Sequence, residues 1–281
     1  MSLVESNTPG TLIGSGRVAL VLEYNGSRYH GWQSQKSGHP TVQQHLEAAL
    51  SKVANSPVDV ICAGRTDAGV HASHQVIHFD TIATRSFRSW IMGANANLPG
   101  DISVHWVGNV PDSFHARFSA LNRRYRYVIY NSPIRPALFN ETVTWNYRPL
   151  DEGRMATAAK SLVGEHDFSS YRAAGCQAKS PVRTIEFLNV QRFGDFVILD
   201  IQANAFLHHM VRNISGVLMA IGCGKHHEGW AEEVLHEKDR AAGGVTAPPY
   251  GLYFVGVGYD GGHIPSSEPG PSLLKPYYVG S

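Results

Sequence analysis

The stretch from Val58 to Phe79 constrains the fold of this chain most. Val58-Asp59-Val60-Ile61-Cys62 is apolar at alternate positions, and so is His74-Gln75-Val76-Ile77-His78-Phe79. Both runs read as strands. Between them lies Ala63-Gly64-Arg65-Thr66-Asp67-Ala68-Gly69-Val70-His71. A connection this short ties two strands of one sheet together and presents one acid, Asp67, between a cation, Arg65, and a turn glycine, Gly69. Asp and Gly dominate turns for local backbone reasons. This string is longer and more mixed in charge than a turn requires, so Asp67 is a candidate for chemistry on a rigid scaffold.

Other segments follow the same local rules. Arg17–Tyr24 contains a buried first strand, and Asn25-Gly26 is a turn signal. Thr41 can cap a helix that carries Val42, Leu46, Ala49, Leu50 and Val53 at helical spacing. A second helix is predicted over Phe87–Ala96, ended by Leu98-Pro99-Gly100. Strands are predicted at 103–108, 124–130 and 142–147. A helix is predicted from about Asp151, with Met155, Ala159 and Leu162 on one face, and strands at 184–192 and 195–202 around a Phe193-Gly194-Asp195 turn. A long helix is predicted over about 205–222, with a stripe of Met210, Val211, Ile214, Val217, Leu218 and Ile221. A short helix carries Trp230, Val234 and Leu235, and Leu252–Tyr259 closes as a strand. Strands and helices alternate without a βαβ rhythm, so the class is α+β. The pattern starts again with the strand at 103–108, and two halves, 16–110 and 111–260, joined near residues 109–115 would explain the restart, although spacing alone does not establish them. The polar start at 1–15 reads as flexible and the Pro/Gly/Ser-rich tail at 261–281 as disordered.

Composition narrows the function. A hydrophobic share of 43% in 281 residues suits a globular core. Three cysteines, Cys62, Cys176 and Cys223, are odd in number and widely spaced. They do not form a disulfide framework or a cysteine zinc site, and they fit a reducing cytoplasm. No apolar run reaches the length of a membrane span, and no signal-peptide core stands at the start. The formal net charge of +1 does not advertise a nucleic-acid partner. Local charge does: Arg117, Arg123, Arg124 and Arg126 are interleaved with Phe118, Tyr125 and Tyr127. Cations of this kind attract phosphates, and aromatic faces accept unstacked bases. The same pattern also suits a strand with a solvated basic face.

The string around Asp67 resembles the catalytic motif of the TruA family of tRNA pseudouridine synthases. Further blocks resemble the family in the family's order: Glu-Tyr-Asn-Gly-Ser-Arg-Tyr-His-Gly-Trp-Gln at 23–33, Asn-Ala-Asn-Leu-Pro-Gly-Asp at 95–101, Phe-His-Ala-Arg-Phe-Ser-Ala at 114–120, and Arg-Tyr-Arg-Tyr at 124–127. They continue as Gly-Glu-His-Asp-Phe at 164–168, Asn-Ala-Phe-Leu-His-His-Met-Val-Arg-Asn at 204–213, and Gly-Leu-Tyr at 251–253. The resemblance covers about residues 16–260. It implies two similar halves whose mainly antiparallel sheets join into one extended sheet, with helices packed on it and a basic active-site cleft between the halves. It also implies an isomerase that converts uridine to pseudouridine at positions 38, 39 and 40 of the tRNA anticodon stem-loop and acts as a homodimer.

That reaction breaks the N1–C1′ bond, turns the uracil and rejoins it through C5. It is an isomerisation and needs no cofactor and no metal. By resemblance Asp67 is the nucleophile, or the stabiliser of a cationic sugar, and Arg212 is its ion-pair partner. Tyr125 stacks on the target base, and Arg65 fills the space left by the flipped nucleotide. Arg123, Arg124, Arg126 and His208 are further candidates for substrate binding. Attack at C6, attack at C1′ and a glycal route all use an ionised Asp67, and a nearby cation favours that form.

From spacing alone, Arg212, His208, His209 and Asn213 are polar residues on an apolar helix, which suggests a face turned toward a cleft or a plain surface edge. Tyr125 shares a strand face with Tyr127 and Ile129 and reads equally as core. Three other functions compete. A metal hydrolase would use His71, His74 and His78, but no ligand spacing supports it. A glycosidase usually needs paired carboxylates, and the strongest motif has one. A non-catalytic RNA binder would gain nothing from a carboxylate beside phosphates.

Overall fold

A computed structural model describes residues 12–36 and 38–266. The elements in chain order are β1 (Leu12–Tyr24), α1 (Val42–Ala54), β2 (Ile61–Cys62), β3 (His71–Ser86), α2 (Phe87–Asn97), β4 (Ile102–Asn109), β5 (Ala120–Asn131), β6 (Thr144–Asn146), α3 (Glu152–Ala159), β7 (Gly164–Asp167), β8 (Val182–Phe193), β9 (Phe196–Ala203), α4 (Met210–Gly222), α5 (Trp230–Glu237) and β10 (Leu252–Tyr259). The class is α+β with mostly antiparallel pairing, as the sequence predicts. The described residues form two compact units. The first runs to Leu121 and takes up the chain again from Phe254, and the second is Asn122–Tyr253.

In the first unit the strand order is β4-β1-β3-β10, with β2 on β3. β1 runs antiparallel to β3 from Leu12 opposite Ser86 to Tyr24 opposite Ala72. The central run Val18–Leu22 is fully buried. α1 starts where Thr41 accepts a hydrogen bond from the Gln44 amide and stops at Asn55, which takes the left-handed conformation (φ 56°). Its buried face is Val42, Leu46, Ala49, Leu50 and Ala54. α2 is capped by Ser86 and buries Phe87, Trp90 and Ala94. After it, the Asn95 side chain donates to the Val104 carbonyl (2.9 Å) and accepts from the Val104 amide (2.7 Å). That exchange fixes how the chain turns from α2 into β4.

Two expectations change here. Leu12–Ser15 is not a flexible start but the first part of β1. It pairs with β3, and Trp90 donates its indole N–H to the Ile13 carbonyl at 2.9 Å. Residues 1–11 and 267–281, on which the rest of the predicted flexible ends falls, lie outside the described residues. The change of unit falls after Leu121 rather than near 110. β4 and the segment after it stay with the first sheet, where Val110 donates to the Arg17 carbonyl (3.0 Å).

In the second unit the order is β5-β9-β8-β7, all antiparallel, with β6 parallel to β5. α3 is capped by Asp151, and α4 buries the predicted stripe of Met210, Val211, Ile214, Val217, Leu218 and Ile221. α4 is shorter than predicted, because His209 sits at φ 62° and ends any helical continuity with the residues before it.

Candidate active site

Asp67 sits on the loop between β2 and β3, and its neighbours hold that loop from several sides. Thr66 is buried, and its hydroxyl shares a 2.8 Å hydrogen bond with the phenol of Tyr24 on β1. Gln75, fully buried on β3, donates to the Gly64 carbonyl at 2.6 Å and accepts from the Gly64 amide at 3.4 Å. The Val70 amide closes a turn onto the Asp67 carbonyl at 3.1 Å, with Gly69 at φ 77°. Asp67 itself is half-buried between exposed Arg65 and exposed Ala68.

A second segment, Gly26–Trp32, lies directly against this loop. Trp32 donates its amide to the Thr66 carbonyl at 3.0 Å, Gly69 donates to the Tyr29 carbonyl at 3.3 Å, and Gly26 donates to His71 Nδ1 at 3.0 Å. The approach demands glycine. A Cβ on Gly26 would lie 1.9 Å from the Val70 carbonyl oxygen, and one on Gly31, at φ 91°, 2.7 Å from that of Thr66. Trp32, fully buried, packs its ring 5.9 Å from Tyr24. The sequence block at 23–33 thus works as a brace for the Asp67 loop. Nothing in the spacing of Thr66, Tyr24 and Gln75 could have announced it, because its partners are 42 and 51 positions apart.

Cys62, just before the loop, is buried, and burial pushes its thiol up to about 12 against the opposing pull of Arg65 and Arg117. His71, His74 and His78 are all buried on β3. Their strand placement corrects the reading that put His71 on the loop. His71 Nδ1 accepts from Gly26 and His78 Nδ1 accepts from the Ala116 amide (3.1 Å), so two of the three rings are built into the packing.

In the second unit, Tyr125 and Tyr127 share one face of β5, as predicted, and both are buried. Tyr127 is fully buried, and its hydroxyl meets Thr144 Oγ1 (2.6 Å) and donates to the Pro248 carbonyl (2.8 Å). Tyr125 packs edge-on to Phe206, with ring centroids 5.1 Å apart. The opposite face carries the arginines. Arg124 grips Asp200 through two hydrogen bonds of 2.7 and 2.6 Å, and Arg126, nearly buried, donates to the same carboxylate at 2.8 Å. Asp200 stands directly opposite Arg126 in the β5–β9 register. Arg126 is thus a buried guanidinium paired with a carboxylate within the sheet. Arg123 donates to the Asn204 carbonyl at 3.0 Å.

Arg212 lies in the first turn of α4, partly buried. Its Nε donates to the Ala247 carbonyl at 2.8 Å, and the Ala247 amide donates back to the Arg212 carbonyl at 3.1 Å. Both ends of the residue are tied to one neighbour. Asn213 is not on an open face. It is buried, donates to the Tyr171 carbonyl (2.8 Å) and accepts from Thr246 (2.7 Å) and Arg240 (3.2 Å). His208 is exposed and precedes the helix instead of riding on it; the Ala173 amide donates to its carbonyl at 2.9 Å.

The family model described as tRNA pseudouridine synthase matches residues 20–119 and 158–260. The chain belongs to the tRNA pseudouridine synthase family. Curated relatives named tRNA pseudouridine synthase A include one from Pseudomonas aeruginosa, 62% identical, over 93% of this chain and 92% of that protein. Another, from Legionella pneumophila, is 57% identical over 92% of this chain and 98% of its own length. A third, from Coxiella burnetii, is 56% identical over 92% and 99%. In this synthase the matched residues contain Arg65, Asp67, His208 and Arg212, whereas Tyr125 and its neighbouring arginines fall between the two matched segments. The brace residues Tyr24, Gly26, Gly31, Thr66 and Gln75 all lie inside the first match.

Proposed function

We propose that this chain isomerises uridine to pseudouridine in tRNA, at positions 38, 39 and 40 of the anticodon stem-loop. The observation that carries this reading is the Asp67 loop. A half-exposed carboxylate stands on a loop fixed by a buried threonine–tyrosine hydrogen bond and by two glycine-dependent backbone approaches. Such rigidity suits a group that must meet a reacting atom in one geometry.

The target nucleotide leaves its stack, and its uracil rests on the Tyr125 ring, which replaces the lost stacking. Arg65, exposed beside Asp67, takes the space vacated in the helix and contacts phosphate through its flat cation. In this reading Asp67 acts as nucleophile and Arg212 is its ion-pair partner. The N1–C1′ bond breaks, the uracil turns, the C5–C1′ bond forms, the C5 proton leaves to water and N1 gains one. Atoms and electrons balance without a cofactor or a metal. Among the remaining cations, Arg123 and Arg124 precede the tyrosine on β5 and Arg126 follows it, and His208 is exposed ahead of α4. These are the further substrate contacts in this reading. The enzyme works as a homodimer in the cytoplasm, a setting supported by its three free cysteines.

The test uses tRNA transcripts tritiated at uracil C5. Wild type releases tritium to water, and Asp67→Ala releases none while still binding the transcript. Release that survives Asp67→Ala removes Asp67 from the chemistry, and no release by wild type removes the activity.

A further inference from the structure

Phe118 is 77% exposed on the segment between β4 and β5, yet hydrogen bonds from several sides hold the backbone beneath it. His115 and Ser119 bond reciprocally: the His115 amide donates to Ser119 Oγ at 2.9 Å, and the Ser119 amide to the His115 carbonyl at 2.9 Å. The Ala116 amide donates to buried His78, and the Ala116 carbonyl accepts from the Tyr259 hydroxyl at 2.6 Å. Arg17 donates to the carbonyls of Asp112 (2.6 Å) and Phe114 (2.9 Å). A lone exposed phenylalanine is ordinary. One mounted on this much fixed backbone is not explained by packing.

The surroundings of the ring identify what it would hold. His115 lies against it, with centroids 4.3 Å apart and planes 31° off parallel. His115 Nδ1 accepts from the amides of Arg117 (3.2 Å) and Phe118 (3.1 Å), so that nitrogen carries no proton and the imidazole cannot turn. Burial and the neighbouring arginines hold its pKa below the ordinary value, which keeps the ring neutral. The Arg117 guanidinium stands 5.6 Å from the Phe118 centroid. An exposed aromatic ring with a cation over it matches a nucleotide, whose base stacks and whose phosphate pairs. A protein partner would bury the same ring in a desolvated core, and a change of oligomeric state would report it. Ala116, next to Arg117, bonds to His78, which stands opposite Ile61 on β2, so this segment lies beside the strand that leads into the Asp67 loop.

We propose that Phe118, backed by His115 and flanked by Arg117, is a second base-stacking platform. It holds an unpaired nucleotide of the substrate tRNA other than the one being isomerised. This deepens the tRNA-modifying reading above and rests on it. The platform acts on binding and register rather than on the chemical step.

Binding of a fluorescent anticodon stem-loop RNA, measured by anisotropy, is compared for wild type, Phe118→Ala and Phe118→Trp. Tritium-release kinetics run in parallel. Phe118→Ala is expected to raise Kd and KM by about tenfold, within the range of one lost base–aromatic stack, and to leave kcat within about twofold. Phe118→Trp is expected to stay close to wild type, because any aromatic face serves. Because the side chain is exposed, both variants should melt with wild type.

Unchanged Kd in Phe118→Ala overturns the platform. So does a loss of affinity that appears together with a change of oligomeric state in sedimentation, since Phe118 is then a protein contact. If wild type binds the RNA but releases no tritium, the synthase reading fails, while the Kd comparison still decides the platform.

Discussion

At the scale of the residue, the chemistry of Asp67 depends on groups that never meet substrate. Thr66 shares its hydroxyl with the fully buried phenol of Tyr24, whose other contact, from Gln75, is longer at 3.4 Å. Burial raises the Tyr24 pKa, so the phenol stays protonated and needs its partner. Thr66→Val keeps the shape and removes the hydroxyl. It should cost about 1–3 kcal/mol in urea unfolding and lower kcat, while Thr66→Ser restores both. Equal stability in Val and Ser variants would mean that the hydroxyl does not support the loop.

His74 offers a pH test at the same scale. Burial, with His105 as a lesser cause, pushes its imidazole from the ordinary 6.5 down to about 4. Between those values the unfolded chain takes up a proton that the native protein refuses. This stabilisation is complete above about pH 6.5 and is lost as pH falls toward 4, by up to about 3 kcal/mol. The urea midpoint should therefore drop through that window, and His74→Leu should make the drop shallower. An unchanged slope would show that His74 is not the titrating group.

At the scale of the element, the local signals were highly legible. Thr41 caps its helix as read, Asp151 caps the helix predicted to begin near it, and the apolar stripe of α4 is buried as its 3.6-residue period requires. The start of α4 was not legible. A left-handed His209 has no composition signal, and it moves His208 off the helix. Nor could spacing tell Arg212 from Asn213, adjacent polar residues of which only Asn213 is buried, as a hub for Tyr171, Arg240 and Thr246.

The segment that ties Arg212 also presses on α4. A Cβ at Gly216 would stand 1.9 Å from the Val245 carbonyl oxygen. Gly216→Ala should shift residues 245–247, loosen the Ala247 clamp and lower kcat at least tenfold. Helix content by circular dichroism should be unchanged, since alanine favours helix by about 1 kcal/mol over glycine. Wild-type kcat in that variant would show that the clamp is dispensable.

On the second sheet, Asp200→Asn should cost about 3–5 kcal/mol, because it leaves the nearly buried Arg126 without its counter-charge. A melting temperature close to wild type would show that the pair contributes little.

At the scale of the whole molecule, the chain returns to the first unit at Phe254. β10 stands beside β3 in the strand order, so the first sheet is completed by residues far from the rest of it in sequence. A chain ending at Tyr253 should lose the cooperative unfolding of its first unit, measured by hydrogen exchange on β3 amides, even though every residue of the Asp67 loop is present. Native protection of those amides would show that β1 and β2 suffice. Among the described residues no helix is long and apolar enough to cross a membrane.

The sequence by itself determined the strand and helix periods, the helix caps, the prominence of Asp67 and the α+β class, because these follow from side-chain spacing and backbone preference within a few residues. Only the tertiary structure decided that Gly26 and Gly31 hold a brace against the Asp67 loop, that Asp200 claims Arg124 and Arg126, and that Phe118 stays in solvent on a fixed backbone. Each of those depends on groups tens of positions apart being brought within hydrogen-bonding or van der Waals distance, or kept from it, and such distances are set by strand register and packing, not by neighbours along the chain.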